Sequence, residues 1–389
     1  MAPTVTLGIE RLLDSDRLDG RRIGLVANPA SVDADYRHVA DRLAGRSGSR
    51  LVALFGPQHG FEADAQDNMV ESPHRRDVRL GVPVYSLYSE TREPTADMLR
   101  DLDTLVIDLQ DVGTRVFTFV YTMANCMRAA AAHDVEVIVC DRPNPIGGTQ
   151  VEGPVLEPAF RSFVGQFPIP LRHGMTIGEL ARLFNEAFGI GARLEISPMA
   201  GWQRPFYLDE CGLPWIMPSP NLPTLDSAIV YPGAVLVEGT ALSEGRGTTR
   251  PFELIGAPGL DSHRLVDVLD GIGLPGLRAR PVWFEPMFQK HAGRRCGGCQ
   301  LHVTDRTVFR PVEAAVVLLH AIREQDASRV AWREPPYEYE RERMPIDILY
   351  GSSALRLALE AGSTPAEIVA AWAEPLAEFA MLRARHLLY

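Results

Sequence analysis

The chain has 389 residues, 46% of them hydrophobic and 23% charged, with a formal net charge of −11. That length is enough for two or more cores, and the acidic balance argues against nucleic acid as the main partner, because phosphate binding needs a basic footprint. No apolar run approaches the ~20 residues that cross a bilayer, so no membrane partner is expected.

The opening, MAPTVTLGIERLL, lacks a basic stretch followed by an apolar core. Five cysteines spread over so long a chain do not make a disulfide framework. The expectation is a soluble cytoplasmic protein. Its oligomeric state is left open.

The first β-like run is RRIGLVAN (21–28), followed by a helical pattern in DADYRHVADRLAG (33–45). RLVALFG (50–56) is the second run and passes directly into Pro57, Gln58, His59 and Gly60. DTLVIDLQD (103–111), a helix in FTFVYTMANCMRAAAAH (117–133) and VEVIVCD (135–141) continue the alternation. Short β-branched runs that end in polar residues, with helices between them, predict a parallel α/β sheet covered on both faces. TIGELARLFNEAFG (176–189) predicts a further helix, opened by Thr176 and Glu179 at capping-box spacing.

From 198 to 258 the chain is rich in Pro and Gly and reads as long structured loops, which in enzymes are commonly functional. Beyond it the pattern is mixed, with strands at 279–285 and 299–304 and helices at about 311–323, 352–361 and 364–386. A boundary near 226 divides a parallel-sheet α/β domain at 1–226 from a smaller mixed α+β domain at 227–389. CGGC (Cys296 to Cys299) is a lone CxxC, whereas a zinc site needs about four ligands. It reads as a Gly-Gly turn with two incidental thiols, and no metal is expected.

Ligands of open α/β sheets bind beyond the carboxyl ends of the strands. Those ends supply Asn28, then Gln58 and His59, then Asp108, Gln110 and Asp111, then Asp141, Arg142 and Asn144. Asp141, ahead of RPNP, reads as a brace for its loop. The other dense stretch, EGTALSEGRGTTRPFE (238–253), sets Glu238, Glu244, Arg246, Thr248, Arg250 and Glu253 among three glycines. Glycine lets backbone approach a ligand closely, and Arg forks match a carboxylate. GxGxxG, GxxxxGK[ST] and GxSxG are all absent. The α/β pattern therefore brings neither NAD nor ATP nor a serine nucleophile with it, and no cofactor is expected.

FGPQHGF, GVPVYSLY, DLQDVGTRVFTF, DRPNPIGG, VEGPVL, RHGMTIGELA, PSPNLPT, YPG, EGTALSEGRGTTRPFE and MPIDILYGS, in order over nearly the whole chain, resemble the exo-β-N-acetylmuramidase (NamZ-like) glycosidases of peptidoglycan recycling. The resemblance implies a Rossmann-like domain without a nucleotide and a cleft at its junction with a smaller domain. It also implies release of terminal N-acetylmuramic acid from peptidoglycan fragments, a small-molecule substrate. The family pattern reads Gly-Pro-Glu-His-Gly-Phe, its Glu being the favoured catalytic carboxyl, whereas this chain has Gln58 there.

An amide cannot give a proton as an acid. The expected acids are therefore Asp108 and Asp111, with Glu244 as the other candidate and His59 aiding proton transfer. Arg246 and Arg250, with Arg115, are expected to receive the lactyl carboxylate, and Gln58, Asn144, Asn221 and Thr248 to bind the sugar. The carboxyl-end rule together with the resemblance sets residues 58–59 and 108–111 across one pocket from the 243–253 loop. The alternative is a sugar-binding or regulatory relative that has lost turnover.

Overall fold

Among the described residues, nine strands precede residue 200: β1 (Arg22–Val26), β2 (Arg50–Gly56), β3 (Arg75–Arg76), β4 (Pro83–Ser86), β5 (Thr104–Ile107), β6 (Glu136–Cys140), β7 (Glu152–Val155), β8 (Pro170–Arg172) and β9 (Leu194–Ser197). The computed structural model describes residues 5–67 and 70–389. Seven of these strands form one sheet in the order β3-β4-β2-β1-β5-β6-β9, parallel throughout except for β3 against β4. The apolar runs of the sequence are its centre, where both faces are covered. β4 and β9 were not anticipated, because each has four residues and alternates or is only half-buried. β7 and β8 pair as a separate antiparallel ribbon.

The predicted helices narrow to Val39–Ala44, Phe119–Ala132 and Ile177–Glu186. Residues 33–38 do not join the first of them. The Asp33 carboxylate accepts the backbone N–H groups of Asp35 and Arg37, which closes a turn, and the His38 ring then caps Ala40. The Thr176–Glu179 capping box forms as expected.

The second half carries an antiparallel sheet of β10 (Leu254–Ala257), β11 (Leu277–Phe284) and β12 (Cys296–Val303), ordered β10-β12-β11 and backed by helices Ser262–Ile272 and Pro311–Gln325. Here the structure corrects the reading of CGGC, which is strand and not turn. A Cβ on Gly298 would lie 2.0 Å from the Ile255 carbonyl oxygen, and one on Gly297 2.3 Å from that of Leu260. The glycines admit neighbouring backbone to the sheet, and both thiols are buried and free.

Residues 198–258 are likewise not all loop. Leu225–Ala234 is helical despite Pro232, and a Cβ on Gly233 would lie 1.8 Å from the Pro311 carbonyl oxygen, so this glycine permits a close helix crossing. The long C-terminal helix is interrupted between Pro365–Ala370 and Ala373–Ala384, where Trp372 is buried and donates to the Tyr350 hydroxyl at 2.7 Å. A single hydrophobic cluster runs from Val26 on β1 to Phe379 in the last helix, so both halves share one core. Among the described residues no helix is long and apolar enough to cross a membrane.

Candidate active site

β2 ends in a turn that glycine makes possible. A Cβ on Gly56 would stand 2.6 Å from the Phe61 nitrogen, and His59 and Gly60 both take left-handed backbone, at φ 72° and 85°. The turn delivers Gln58 and His59 to an open pocket, walled on its other sides by the start of the 119–132 helix, by Ser219 and Asn221, by Glu238 and Arg246, and by Tyr337 and Glu338.

The amide of Gln58 is held at both ends. Its Oε1 accepts from the Thr118 hydroxyl at 2.7 Å, and its Nε2 donates to Glu338 Oε1 at 3.3 Å. The other Glu338 oxygen accepts from the Tyr88 hydroxyl at 3.0 Å. Glu338 is buried, and both it and Tyr339 adopt left-handed backbone, at φ 44° and 70°. Such conformations cost of order 1–3 kcal/mol each in a non-glycine residue, and they gather at functional sites. Burial pushes the Tyr88 phenol well above its ordinary pKa, so it remains a donor.

A second carboxylate enters from the short helical turn Val235–Gly239. Glu238 Oε1 lies 2.7 Å from Arg246 Nη1, and its Oε2 accepts from the Tyr337 hydroxyl at 2.9 Å. The same Nη1 lies 3.0 Å from Glu244, which Lys290 meets from behind at 2.8 Å. Lys290 also donates to the carbonyls of Val237, Thr240 and Leu242, and so staples this loop. Burial opposes the Glu244 charge, but Lys290 and Arg246 outweigh it and hold the carboxyl at about 2. The Arg246 guanidinium lies 4.9 Å from the centre of the Phe252 ring.

His59 is neutral at ordinary pH. Its Nδ1 is 2.7 Å from the Ala65 carbonyl oxygen, an acceptor, which puts the proton on Nδ1 and leaves Nε2, 3.4 Å from the Ser219 hydroxyl, as the free base. Burial, with Arg246 adding to it, pulls its pKa from 6.5 to about 4. Because the folded value is depressed, the unfolded chain takes up this proton first. Stability is therefore expected to fall as pH drops from 6.5 towards 4, by up to ~3 kcal/mol. His59→Gln should flatten that part of a stability-against-pH curve measured by urea unfolding.

The expected site residues divide. Gln58, His59, Asn221 and Arg246 line the pocket, Asn221 exchanging hydrogen bonds with Gln66 at 2.8 and 3.1 Å. Glu244 stands behind Arg246. Thr248 donates to the Gly245 carbonyl, and Arg250, about half exposed, pairs with Glu253, so neither lines the pocket.

The single-pocket expectation for 58–59 and 108–111 needs correction. Asp108 is gripped by Arg142 at 2.8 and 2.7 Å, and Asp111 faces His173 at 3.2 Å and accepts from the Gly113 N–H at 2.8 Å. Asn144 bonds Met175 and Ile146 backbone. Arg115 donates to the carbonyls of Pro154, Ile169, Leu349 and Tyr350, and burial lowers its pKa to about 10. None of these four lines the pocket. Gln110 and Arg142 instead line a smaller cavity beside Trp215. At the ends of β5 and β6 the charges of Asp108 and Arg142 satisfy one another.

Two pocket carboxylates were not singled out from sequence. Glu238 counted only as one acid of the arginine loop. Glu338 sits in PPYEYERERMP, which reads as a solvated charged run, although the paired prolines and alternating Tyr-Glu could have marked it.

Residues 23–226 match the family described as the N-terminal domain of exo-β-N-acetylmuramidase NamZ, and residues 229–389 match that of its C-terminal domain. The whole chain is 44% identical to the peptidoglycan β-N-acetylmuramidase NamZ of Bacillus subtilis (strain 168), covering 92% of that protein. Two crystal structures of DUF1343 family proteins from Bacteroides fragilis NCTC 9343 are similar, each matched over 99% of both chains. One has a TM-score of 0.91 at 34% identity and the other 0.77 at 28%.

Proposed function

The chain belongs to the NamZ exo-β-N-acetylmuramidase family, and from that premise we propose that it is a glycosidase releasing terminal N-acetylmuramic acid, or a related acidic amino sugar, from peptidoglycan fragments. The observation that carries this reading is one pocket lined by two buried carboxylates, Glu238 and Glu338, together with the Arg246 guanidinium. Glycoside hydrolysis commonly uses two carboxyl groups about the scissile bond. The Nε–H of Arg246 is buried and has no hydrogen-bond partner among the described residues, which leaves it a donor for the lactyl carboxylate of muramic acid. A cytoplasmic place in peptidoglycan recycling belongs to the same reading, and five free buried thiols suit a reducing compartment.

The test compares chromogenic β-glycosides of N-acetylmuramic acid and N-acetylglucosamine. A charge-assisted contact to the lactyl group is worth roughly 1.5–3 kcal/mol, so release from the muramic acid glycoside should be about 10- to 150-fold more efficient. Equal rates would remove the acidic-sugar assignment. A second reading is a sugar-binding relative, because the resemblance implies a carboxyl where this chain has the amide of Gln58. Binding without release at every pH from about 4 to 9 would establish that reading instead.

A further inference from the structure

We propose that Glu338 is the catalytic acid of this site and that Gln58 is the residue that positions it, an inference that rests on the glycosidase reading above. Gln58 cannot titrate, but its orientation is not arbitrary. Its amide oxygen accepts from the Thr118 hydroxyl at 2.7 Å and its NH₂ end donates to Glu338 Oε1 at 3.3 Å. The hydroxyl of Tyr88 fixes the second carboxyl oxygen. Thus Gln58 holds an acid brought from the far end of the sequence on a strained pair of left-handed residues. Glu238 cannot serve in the same way, because it faces the Arg246 guanidinium at 2.7 Å, which suits the charged member of the pair.

In this assignment the Glu338 carboxyl gives its proton to the glycosidic oxygen as the anomeric C–O bond breaks and its electron pair leaves on that oxygen. The electron-poor anomeric carbon faces the Glu238 carboxylate and takes up the oxygen of a water molecule. The proton which that water sheds returns to Glu338, so the site is restored and the net reaction is hydrolysis.

The experiment varies the leaving group. A sugar hydroxyl needs a proton to depart, whereas dinitrophenolate does not. Glu338→Gln is therefore expected to lower kcat by about 10²–10⁴ on the muramic acid–glucosamine disaccharide but by less than about tenfold on the dinitrophenyl muramic acid glycoside. Equal losses on both substrates would make Glu338 structural and overturn the proposal, as would wild-type rates on both.

Gln58→Glu gives an independent readout. It sets a second carboxyl at hydrogen-bond distance from Glu338, so the two share a proton and the alkaline limb of the pH–rate profile should move upward. An unmoved profile would separate Gln58 from the acid and overturn the positioning role, even if Glu338→Gln fails to fold. A wild-type protein that cleaves neither glycoside ends the glycosidase reading, and this assignment with it. A wild type that cleaves both, beside a Glu338→Gln that does the same, ends this assignment alone.

Discussion

Arg142→Ala is expected to destabilise the protein by about 3–5 kcal/mol, because it leaves the buried carboxylate of Asp108 without its counter-charge. Asp108 has no exposed surface, and both of its oxygens are held by the Arg142 guanidinium at 2.8 and 2.7 Å. Removing one partner of such a pair costs far more than the pair itself contributes, since the remaining charge stays desolvated. The loss should appear as a lower midpoint of urea unfolding. Asp108→Asn should also cost stability. Its folded fraction should keep kcat within a few-fold of wild type, because Asp108 does not line the pocket. A drop of 10² or more in kcat with an unchanged midpoint would return Asp108 to the chemistry.

Lys290→Ala is the second large effect. Lys290 meets Glu244 at 2.8 Å and donates to three carbonyls of the loop that carries Glu238. Its loss is expected to cost about 3 kcal/mol near neutral pH. The sign with pH follows from Glu244, whose folded pKa of about 2 lies below its ordinary 4.5. The stability contributed by that depressed carboxyl is fully present above pH 4.5 and is lost as pH falls through about 2. The gap between wild type and Lys290→Ala should therefore be widest near pH 7 and should close on acidification towards pH 2. Urea unfolding of both proteins at several pH values measures it. A gap that widens with acid would mean that Glu244 does not depend on Lys290. Because the same loop positions Glu238 and Arg246, turnover of the variant should fall as well.

Much of the architecture is written in local sequence. The central strands β1, β2, β5 and β6 and the capped helix at 177–186 follow from β-branched runs and a Thr-Glu capping box, signals that span a few residues and need no distant partner. The turn after β2 is local too, and with the carboxyl-end rule it was enough to find Gln58 and His59. Arg246 was legible in the same way, as a fork among close-packed glycines.

Tertiary structure decided which acids reach the pocket. Asp108 and Asp111 stand at a strand end like Gln58, but Arg142 arrives from the loop after β6 and takes both Asp108 oxygens, while Asp111 accepts from the Gly113 N–H and faces His173, and neither lines the pocket. Glu338 meets Gln58 across 280 residues of chain, a pairing that no local spacing reveals. A buried carboxylate must find donors or cations, and which of them it finds depends on which distant elements pack around it. That long-range choice leaves no periodicity or spacing in the sequence to read.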